Sequence, residues 1–134
     1  MTKTIVSCGV ICNKNKLLIC NKGDEKKLGH WEFPGGKLKQ YENIFKCVSR
    51  EIEEELSIKV QPVKEIYRYE FLNFILVFIE CILTNPEQQI ILNEHVEYKW
   101  IQIQEINKYN FVPGDLKFVE YLIENENNLH LFVY

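Results

Sequence analysis

The chain has 134 residues, about the size of one domain, and its 16 lysines and arginines against 19 aspartates and glutamates give a formal net charge of −3. This balance lacks the basic excess that binds a nucleic acid polymer or an anionic membrane surface. With 46% hydrophobic and 26% charged residues, the composition excludes a disordered chain. The longest apolar run, residues 71–83, is too short and too interrupted to span a bilayer. We therefore expect a single folded domain over residues 1–134.

The five cysteines show neither a C-x-x-C pair nor the Cys/His spacing of a zinc site. An odd number of cysteines fits a reducing compartment better than a disulfide framework, so we expect buried, reduced thiols. The N-terminus carries a lysine but no apolar segment and no cleavage site of a signal peptide. Together these features predict a cytoplasmic protein.

The first third of the chain predicts paired strands. Residues 4–12 and 16–21 are rich in β-branched and apolar side chains, and the two asparagines between them favour a hairpin. Residues 22–29 are polar and predict a loop. The short apolar stretch 31–33 follows, and the sequence Pro-Gly-Gly ends it.

The rest of the chain predicts two helices and three strands. Between residues 42 and 56 the apolar side chains recur at three- and four-residue steps, which indicates an amphipathic helix. Residues 59–71, 74–83 and 97–102 predict strands, and residues 116–122 predict a second helix. Strands on both sides of a long helix, with another helix at the end, favour an α+β fold in which helices pack against a mixed sheet.

Three glutamates of the predicted long helix carry the first chemical signal. Glu51, Glu54 and Glu55 are spaced i, i+3 and i+4, so their side chains fall within about 100° of the helix circumference, beside the apolar stripe. A solvated acidic face is one interpretation. Like charges this close to a core repel each other unless a cation neutralises them. Oxygen ligands of this kind suit Mg²⁺, Mn²⁺ or Ca²⁺, and Mg²⁺ takes further ligands from water and from substrate phosphates.

Residues 36–58, GKLKQYENIFKCVSREIEEELSI, resemble the Nudix box G-x5-E-x7-R-E-U-x-E-E-x-G-U, in which U is aliphatic. Residues 31–37, WEFPGGK, resemble the same region of MutT-like and CTP-pyrophosphohydrolase-like members. The resemblance implies a Nudix fold, which is an α/β/α sandwich with a mixed sheet between helices. It also implies a hydrolase of nucleoside diphosphates linked to another group, with Mg²⁺ as cofactor and Mn²⁺ as an alternative. Ser57 departs from the pattern, because it replaces the second glycine of the box. The matching positions are Gly36, Glu42, Arg50, Glu51, Ile52, Glu54, Glu55 and Ile58.

The resemblance also implies roles for the charged residues of the box. Glu51 and Glu55 are the first metal ligands, and Glu54 is a third ligand or the group that orients or deprotonates the attacking water. We group Glu54, Glu51 and Arg50 as the catalytic set. Arg50 belongs to this set through a pairing with Glu42 that fixes the preceding loop against the helix, so its expected role is structural rather than catalytic.

Two further metal contacts lie outside the helix. The resemblance implies that the turn at Gly35 brings backbone groups near the metal and the phosphates. It also implies a carboxylate on the loop before a late strand. Glu94 and Glu97 are the candidates, and we prefer Glu94 because its distance to Trp100 resembles the family arrangement. For either one, a solvated loop acid is the alternative.

Five residues are expected to contact the substrate. Phe33 would line an apolar pocket for a nucleobase, with a place in the core as the alternative. Asp115 matches a position at which MutT-like members hydrogen-bond the base, and a carboxylate there would accept from the amino group of cytosine or the N–H edge of guanine or 8-oxoguanine. A helix N-cap is the alternative for Asp115. Asn21 and Lys22 occupy the region where the family often carries a basic nucleotide contact, with a surface lysine as the alternative, and Lys37 follows the glycine turn.

The predicted function is a Mg²⁺-dependent nucleoside triphosphate pyrophosphohydrolase that cleaves 8-oxo-dGTP or a CTP/dCTP-like substrate to a monophosphate and pyrophosphate. Residues 72–75 lack the proline of ADP-ribose hydrolases and the tyrosine of dinucleoside polyphosphate hydrolases. Two alternatives remain open: a Nudix hydrolase of another phosphoanhydride such as a nucleotide sugar, and a non-catalytic nucleotide-binding module. The expected partner is a small nucleotide, with no nucleic acid polymer and no membrane, and the chain would act as a monomer or homodimer.

Two features carry weaker expectations. The three histidines show no ligand spacing, and we expect His30 and His95 at most to support neighbouring ligands. Residues 129–134 are apolar and would form an added edge strand or a partner contact.

Overall fold

The computed structural model describes residues 2–23 and 30–126. Most of the predicted loop 22–29, the segment 129–134 and His130 lie outside these ranges. The strands are β1 (Thr4–Asn13), β2 (Lys16–Asn21), β3 (His30–Glu32), β4 (Gly35–Lys37), β5 (Val60–Phe71), β6 (Phe74–Leu83), β7 (Glu97–Ile101) and β8 (Asn110–Phe111). The helices are α1 (Ile44–Leu56) and α2 (Leu116–Glu124), and two short 3₁₀ helices, Ile103–Lys108 and Pro113–Asp115, precede α2.

The strands form one mixed sheet in the order β5-β6-β1-β2-β3-β8. Strand β1 runs parallel to β6 and antiparallel to its other partners, β2 and β4. Because β4 and β2 pair with different parts of β1, the sheet divides there. Strand β7 joins the same sheet through β2. The Pro-Gly-Gly turn before β4 therefore lies near the middle of the sheet rather than at its edge.

The side chains alternate between the two faces of the sheet and build a core on each. One face packs Val10, Phe78 and Phe118 together, the last of which comes from α2. The other face packs Ile11 and Ile79 against α1. The predicted fold, a mixed sheet between helices, is confirmed. All five cysteines are buried and free, as the sequence predicts.

Helix α1 has a cap at each end. It begins at Ile44, two residues later than predicted, because the Asn43 side chain accepts a hydrogen bond from the Lys46 N–H at 2.9 Å. It ends at Ser57, whose backbone is left-handed with φ 57° and whose N–H donates to the Glu53 carbonyl at 2.9 Å. Glycine adopts this conformation without steric cost, whereas other residues lose about 1–2 kcal/mol. Ser57 therefore ends the helix in the geometry that the box glycine favours.

Strand β4 was not predicted, because the sequence indicates a turn at Gly35 and Gly36, whereas both glycines pair with β1. The other predicted elements differ from the structure only at their ends. Strand β5 begins one residue late, β7 ends one residue early, and α2 continues to Glu124. Residues 103–112 carried no prediction, and they contain the first 3₁₀ helix and the two-residue strand β8. In the part of the chain that the structure describes, no helix is long and apolar enough to cross a membrane.

Candidate active site

A cavity of about 450 Å³ opens where α1, β3, β4 and two loops meet. Carboxylates and a histidine form a large part of its polar lining, and phenylalanines form much of its apolar lining. This combination offers a charged region and an apolar region within one cavity. The polar lining includes Lys22, Glu32, Lys37, Glu55, Glu94, His95 and Asp115, and the apolar lining includes Phe33, Phe71, Phe74 and Leu76.

Arg50 connects α1 with the turns that precede it. Its guanidinium holds the Glu42 carboxylate with two hydrogen bonds, Nε to Oε2 at 2.7 Å and Nη2 to Oε1 at 2.9 Å. Nη1 donates to Glu51 at 2.9 Å and to Glu54 at 3.3 Å, and Nη2 donates to the Lys37 carbonyl at 3.2 Å. The hydrogen bond from Arg50 lowers the pKa of Glu42 to about 2. A planar, two-pronged pairing of this kind fixes orientation as well as charge.

The Gly35-Gly36 turn brings backbone close to the acidic helix. A Cβ atom at Gly36 would overlap the Glu51 carboxylate, and one at Gly35 would overlap the Ser7 carbonyl. The Ser7 hydroxyl donates to the Gly36 carbonyl at 3.2 Å, which ties the turn to β1. Both glycines are therefore required by close approach, since neither has a positive φ.

Glu55 is the most deeply buried acid of the helix. Its side chain points into the cavity with the residue 4% exposed, and Oε2 has no hydrogen-bond partner among residues 2–23 and 30–126. Burial, together with the nearby charges of Glu94 and Glu32, raises the pKa of Glu55 to about 9. Glu54 differs from Glu55, because its carboxylate is 51% exposed, contacts Arg50 and does not line the cavity. The predicted acidic face is thus divided between the cavity and the surface.

The loop after Asn93 brings Glu94 to this place. The Asn93 side chain donates to the Glu54 carbonyl at 2.9 Å and to the Ser57 hydroxyl at 3.0 Å, and its N–H donates to the Glu55 carbonyl at 2.9 Å. Glu94 lies against Glu55 and lines the cavity. The hydroxyl that Ser57 has and glycine lacks therefore holds the loop that carries Glu94. Glu97, the alternative candidate, does not line the cavity and is exposed at the start of β7.

Two cavity residues received little or no weight in the sequence interpretation. His95 Nε2 lies 2.8 Å from Glu32 Oε2, and the two side chains face Glu55. Glu32 belongs to the WEFPGGK segment, and it follows the buried Trp31 on β3. Because successive side chains of a strand point to opposite faces of the sheet, Glu32 points away from the face that buries Trp31. This alternation is the sequence signal that could have identified Glu32. The partner of His95 is 63 residues away in the chain, so no local pattern indicates this contact.

Asp115 closes the other part of the cavity. Its carboxylate makes no hydrogen bond that caps α2, and Oδ2 instead accepts from the Phe33 N–H at 2.9 Å. Asp115 thus occupies the N-cap position of α2 as predicted, but its side chain does not cap the helix. Asp115 is 5% exposed, and burial raises its pKa to about 7 although the Phe33 N–H opposes the shift. A neutral or ionised carboxyl at this place can hydrogen-bond a ligand in the cavity.

The other predicted substrate contacts differ in position. Phe33 lines the cavity, but its ring is 3% exposed and stacks on Phe111, so most of it belongs to the core. Lys22 and Lys37 both line the cavity, and Lys22 Nζ lies 3.6 Å from Glu32 Oε1. Asn21 does not line it, because its side chain turns away to accept from the Gly23 N–H at 2.8 Å.

Comparisons with known proteins agree with this geometry. Residues 1–122 match the NUDIX domain family. An 8-oxo-dGTP diphosphatase of Buchnera aphidicola subsp. Schizaphis graminum is 35% identical over 119 residues, which cover 83% of this chain and 86% of the relative. The nucleoside triphosphatase NudI of Escherichia fergusonii is 24% identical, with 82% and 89% covered. A MutT structure, from a study of Aliivibrio salmonicida and Vibrio cholerae MutT, aligns with a TM-score of 0.72 at 25% identity, with 91% of this chain and 98% of that chain covered. The chain belongs to the NUDIX domain family.

Proposed function

We propose that this Nudix hydrolase is a nucleoside triphosphate pyrophosphohydrolase that needs Mg²⁺ and cleaves 8-oxo-dGTP, or a CTP/dCTP-like nucleotide, to a monophosphate and pyrophosphate. The observation that carries the proposal is the buried, unpaired Oε2 atom of Glu55, beside Glu94, in the cavity that also holds Asp115. Relatives named 8-oxo-dGTP diphosphatase make 8-oxo-dGTP the first substrate to test.

The residues present fit Mg²⁺, because several carboxyl groups lie together around Glu55, where their negative charges would otherwise repel each other. We propose Glu51, Glu54, Glu55 and Glu94 as carboxylate ligands and the Gly35 carbonyl as the backbone ligand. The metal would neutralise phosphate charge and activate water. Mn²⁺ is the alternative ion.

The chain's own groups would position the substrate and move a proton. A water oxygen adds to a phosphorus of the anhydride between the α- and β-phosphates, and the bridging P–O bond breaks. The proton of this water passes to a carboxylate of the Glu51 and Glu54 pair, whose orientation Arg50 fixes through its hydrogen bonds. Lys22 and Lys37 at the cavity would hold phosphate charge.

The base would lie toward Asp115 and the phenylalanines of the cavity. A carboxylate oxygen of Asp115 accepts N–H groups, which an 8-oxoguanine edge or a cytosine amino group presents. Uracil and thymine present fewer N–H groups, so this contact favours the first two bases.

The test is product chromatography after the purified chain and Mg²⁺ are incubated with natural and oxidised nucleoside triphosphates, nucleotide sugars and ADP-ribose. We expect a monophosphate and pyrophosphate from one triphosphate. Glu55→Gln and Glu54→Gln should each lower turnover on the order of 10²- to 10⁴-fold. Glu53→Gln is the matched control, because Glu53 is exposed on the same helix.

Three outcomes would contradict this proposal. Full turnover in both Glu54→Gln and Glu55→Gln would place the chemistry elsewhere. Product from a nucleotide sugar alone would assign another phosphoanhydride as substrate. Nucleotide binding without any product would favour a non-catalytic module. A cytoplasmic location, a single domain over residues 1–134 and a monomeric or homodimeric state stay predictions.

A further inference from the structure

We propose that Glu32, Glu55 and His95 form a cation position with a nitrogen ligand, which binds a transition divalent cation such as Mn²⁺ in preference to Mg²⁺. One ligand atom from each of the three side chains lies within 4.8 Å of the other two. The position shares Glu55 with the Mg²⁺ site of the proposed function, so it adjoins that site. Cation binding at this position follows from the placement of the three side chains and does not require that the chain hydrolyse a triphosphate.

The spacing of the His95 and Glu32 donors suits a common ion. Their Nε2 and Oε2 atoms are 2.8 Å apart. Two ligands at about 2.1 Å from one ion and at right angles to each other are roughly 3 Å apart. In the metal-free chain a proton between these atoms makes a hydrogen bond. A cation would take the place of that proton, with little movement of either side chain.

Buried atoms without partners indicate that the hydrogen bonding of this cluster is incomplete. Glu55 Oε2 and His95 Nδ1 are both buried and have no hydrogen-bond partner in the described part of the chain. The His95 side chain is 2% exposed, so solvent does not supply the missing contacts. Buried polar atoms of this kind cost about 1–3 kcal/mol each. A cation coordinated by Glu55 Oε2 would give this atom a partner and so remove part of this cost.

Charge gives an independent reason. Glu32, Glu55 and Glu94 bring three carboxyl groups to one region, and Lys22 Nζ lies 3.6 Å from Glu32 Oε1. The Lys22 side chain is more than half exposed, so its charge is screened by solvent. A divalent cation within the cluster would neutralise the repulsion among the acidic groups that the Lys22 charge does not compensate.

The donor set decides which cation fits. Mg²⁺ and Ca²⁺ prefer oxygen ligands, whereas an imidazole nitrogen favours ions of the first transition row. Two carboxylates and one imidazole suit Mn²⁺, Fe²⁺, Co²⁺ or Zn²⁺. The Mg²⁺ set of the proposed function contains only oxygen ligands, so the two positions differ in chemical selectivity.

The experiment is titration of the nucleotide-free full chain with Mn²⁺ and, separately, with Mg²⁺, followed by calorimetry and by electron paramagnetic resonance of free Mn²⁺. His95→Asn removes the Nε2 ligand and should weaken Mn²⁺ binding by about 10- to 100-fold, with Mg²⁺ binding changed less than about threefold. His30→Asn is the matched control, because His30 lies on the same strand as Glu32 and outside the cluster.

Unchanged Mn²⁺ affinity in His95→Asn, or an equal loss for Mn²⁺ and Mg²⁺, would overturn the inference. If His95→Asn fails to fold, the unsubstituted chain supplies the test. Its bound Mn²⁺ should show electron spin echo modulation from a directly bound ¹⁴N nucleus, and absence of this signal would overturn the inference.

The inference and the proposed function can fail separately. A nitrogen signal in a chain that cleaves no triphosphate would support the cation position and remove the proposed function. Turnover of a triphosphate without any nitrogen signal would support the proposed function and overturn the cation position.

Discussion

Asp115 is the residue whose protonation has the clearest consequence for ligand binding. It is buried, its pKa is raised to about 7, and its Oδ2 already accepts the Phe33 N–H. Below pH 7 the carboxyl is neutral and keeps a proton that must point at an acceptor. Above pH 7 it is ionised and accepts only, which matches the N–H groups of the base proposed here.

Nucleotide affinity should therefore rise as the pH rises through about 7. We expect the dissociation constant of 8-oxo-2′-deoxyguanosine, which carries no phosphate that titrates in this range, to fall from pH 5.5 to 8 in the unsubstituted chain when it is measured by calorimetry without metal. Asp115→Asn should bind with an affinity that does not change across the range. Glu120→Gln is the control, since Glu120 is exposed on α2. The same pH dependence in Asp115→Asn would show that another group titrates.

Single residues also mark the limit of what the sequence predicts. The box acids and their spacing indicate a cation site, but Glu54 and Glu55 look equivalent in the sequence. They differ because one residue step, 100° around α1, carries Glu55 into the cavity and leaves Glu54 half-exposed. Ser57 looks like a defect of the box. Its hydroxyl contact with Asn93, 36 residues away, depends on tertiary structure that no local pattern contains.

At the scale of elements, strand β6 contains a buried carboxyl group that the proposed chemistry does not use. Glu80 is 1% exposed, and neither carboxylate oxygen has a hydrogen-bond partner in the ranges described. It lies between Val10 of β1 and Lys64 of β5. Burial raises the pKa of Glu80, and the charge of Lys64 partly opposes this shift.

The raised pKa makes β6 a source of pH-dependent instability. In the unfolded chain Glu80 loses its proton near pH 4.3, whereas in the folded chain it keeps the proton to a higher pH. Its contribution to stability is complete below the unfolded pKa and is lost as the pH rises through the folded pKa. Glu80→Gln should remove this loss and raise the free energy of unfolding at pH 8 by about 1–3 kcal/mol.

Urea unfolding of both proteins at pH 5 and pH 8 measures the effect of Glu80→Gln. Glu87→Gln, an exposed acid of the loop after β6, is the matched control and should leave both values unchanged. If the free energy of unfolding falls equally from pH 5 to pH 8 in the unsubstituted chain and in Glu80→Gln, Glu80 is not the source of the pH dependence.

Helices and strands could be predicted from the sequence where the segment is long enough for its apolar pattern to repeat several times. Helix α1 and the strands β5 and β6 have ten or more residues each, and their apolar patterns are repeated often enough to read. Strand β8 has two residues and pairs in parallel with β3, so its existence depends on Trp31 and Phe111 meeting in the fold. A strand of two residues is too short to show an alternating pattern in the sequence.

At the scale of the whole molecule, the acidic cluster joins segments that are distant in the chain. Glu32 belongs to β3, Glu55 to α1, and Glu94 with His95 to the loop before β7. The Asn93 contacts fix this loop to the end of α1, and the His95 contact fixes it to β3. Without a cation, these contacts oppose the mutual repulsion of three carboxylates. We therefore expect cation binding at this cluster to be coupled to the stability of the whole chain.

A divalent cation should therefore raise the thermal stability of the whole chain. An ion that binds only the folded state adds about 2.7 kcal/mol when its free concentration is about 100 times its dissociation constant. We expect saturating Mg²⁺ or Mn²⁺ to raise the melting temperature by several degrees in differential scanning fluorimetry, and EDTA to reverse the rise. Glu55→Gln should melt higher than the unsubstituted chain without metal, because glutamine avoids the cost of burying a carboxyl group whose pKa is raised to about 9, and it should lose most of the response to cations. Glu53→Gln should keep that response. A melting temperature that does not depend on cations would mean that the three segments hold their acids together without one.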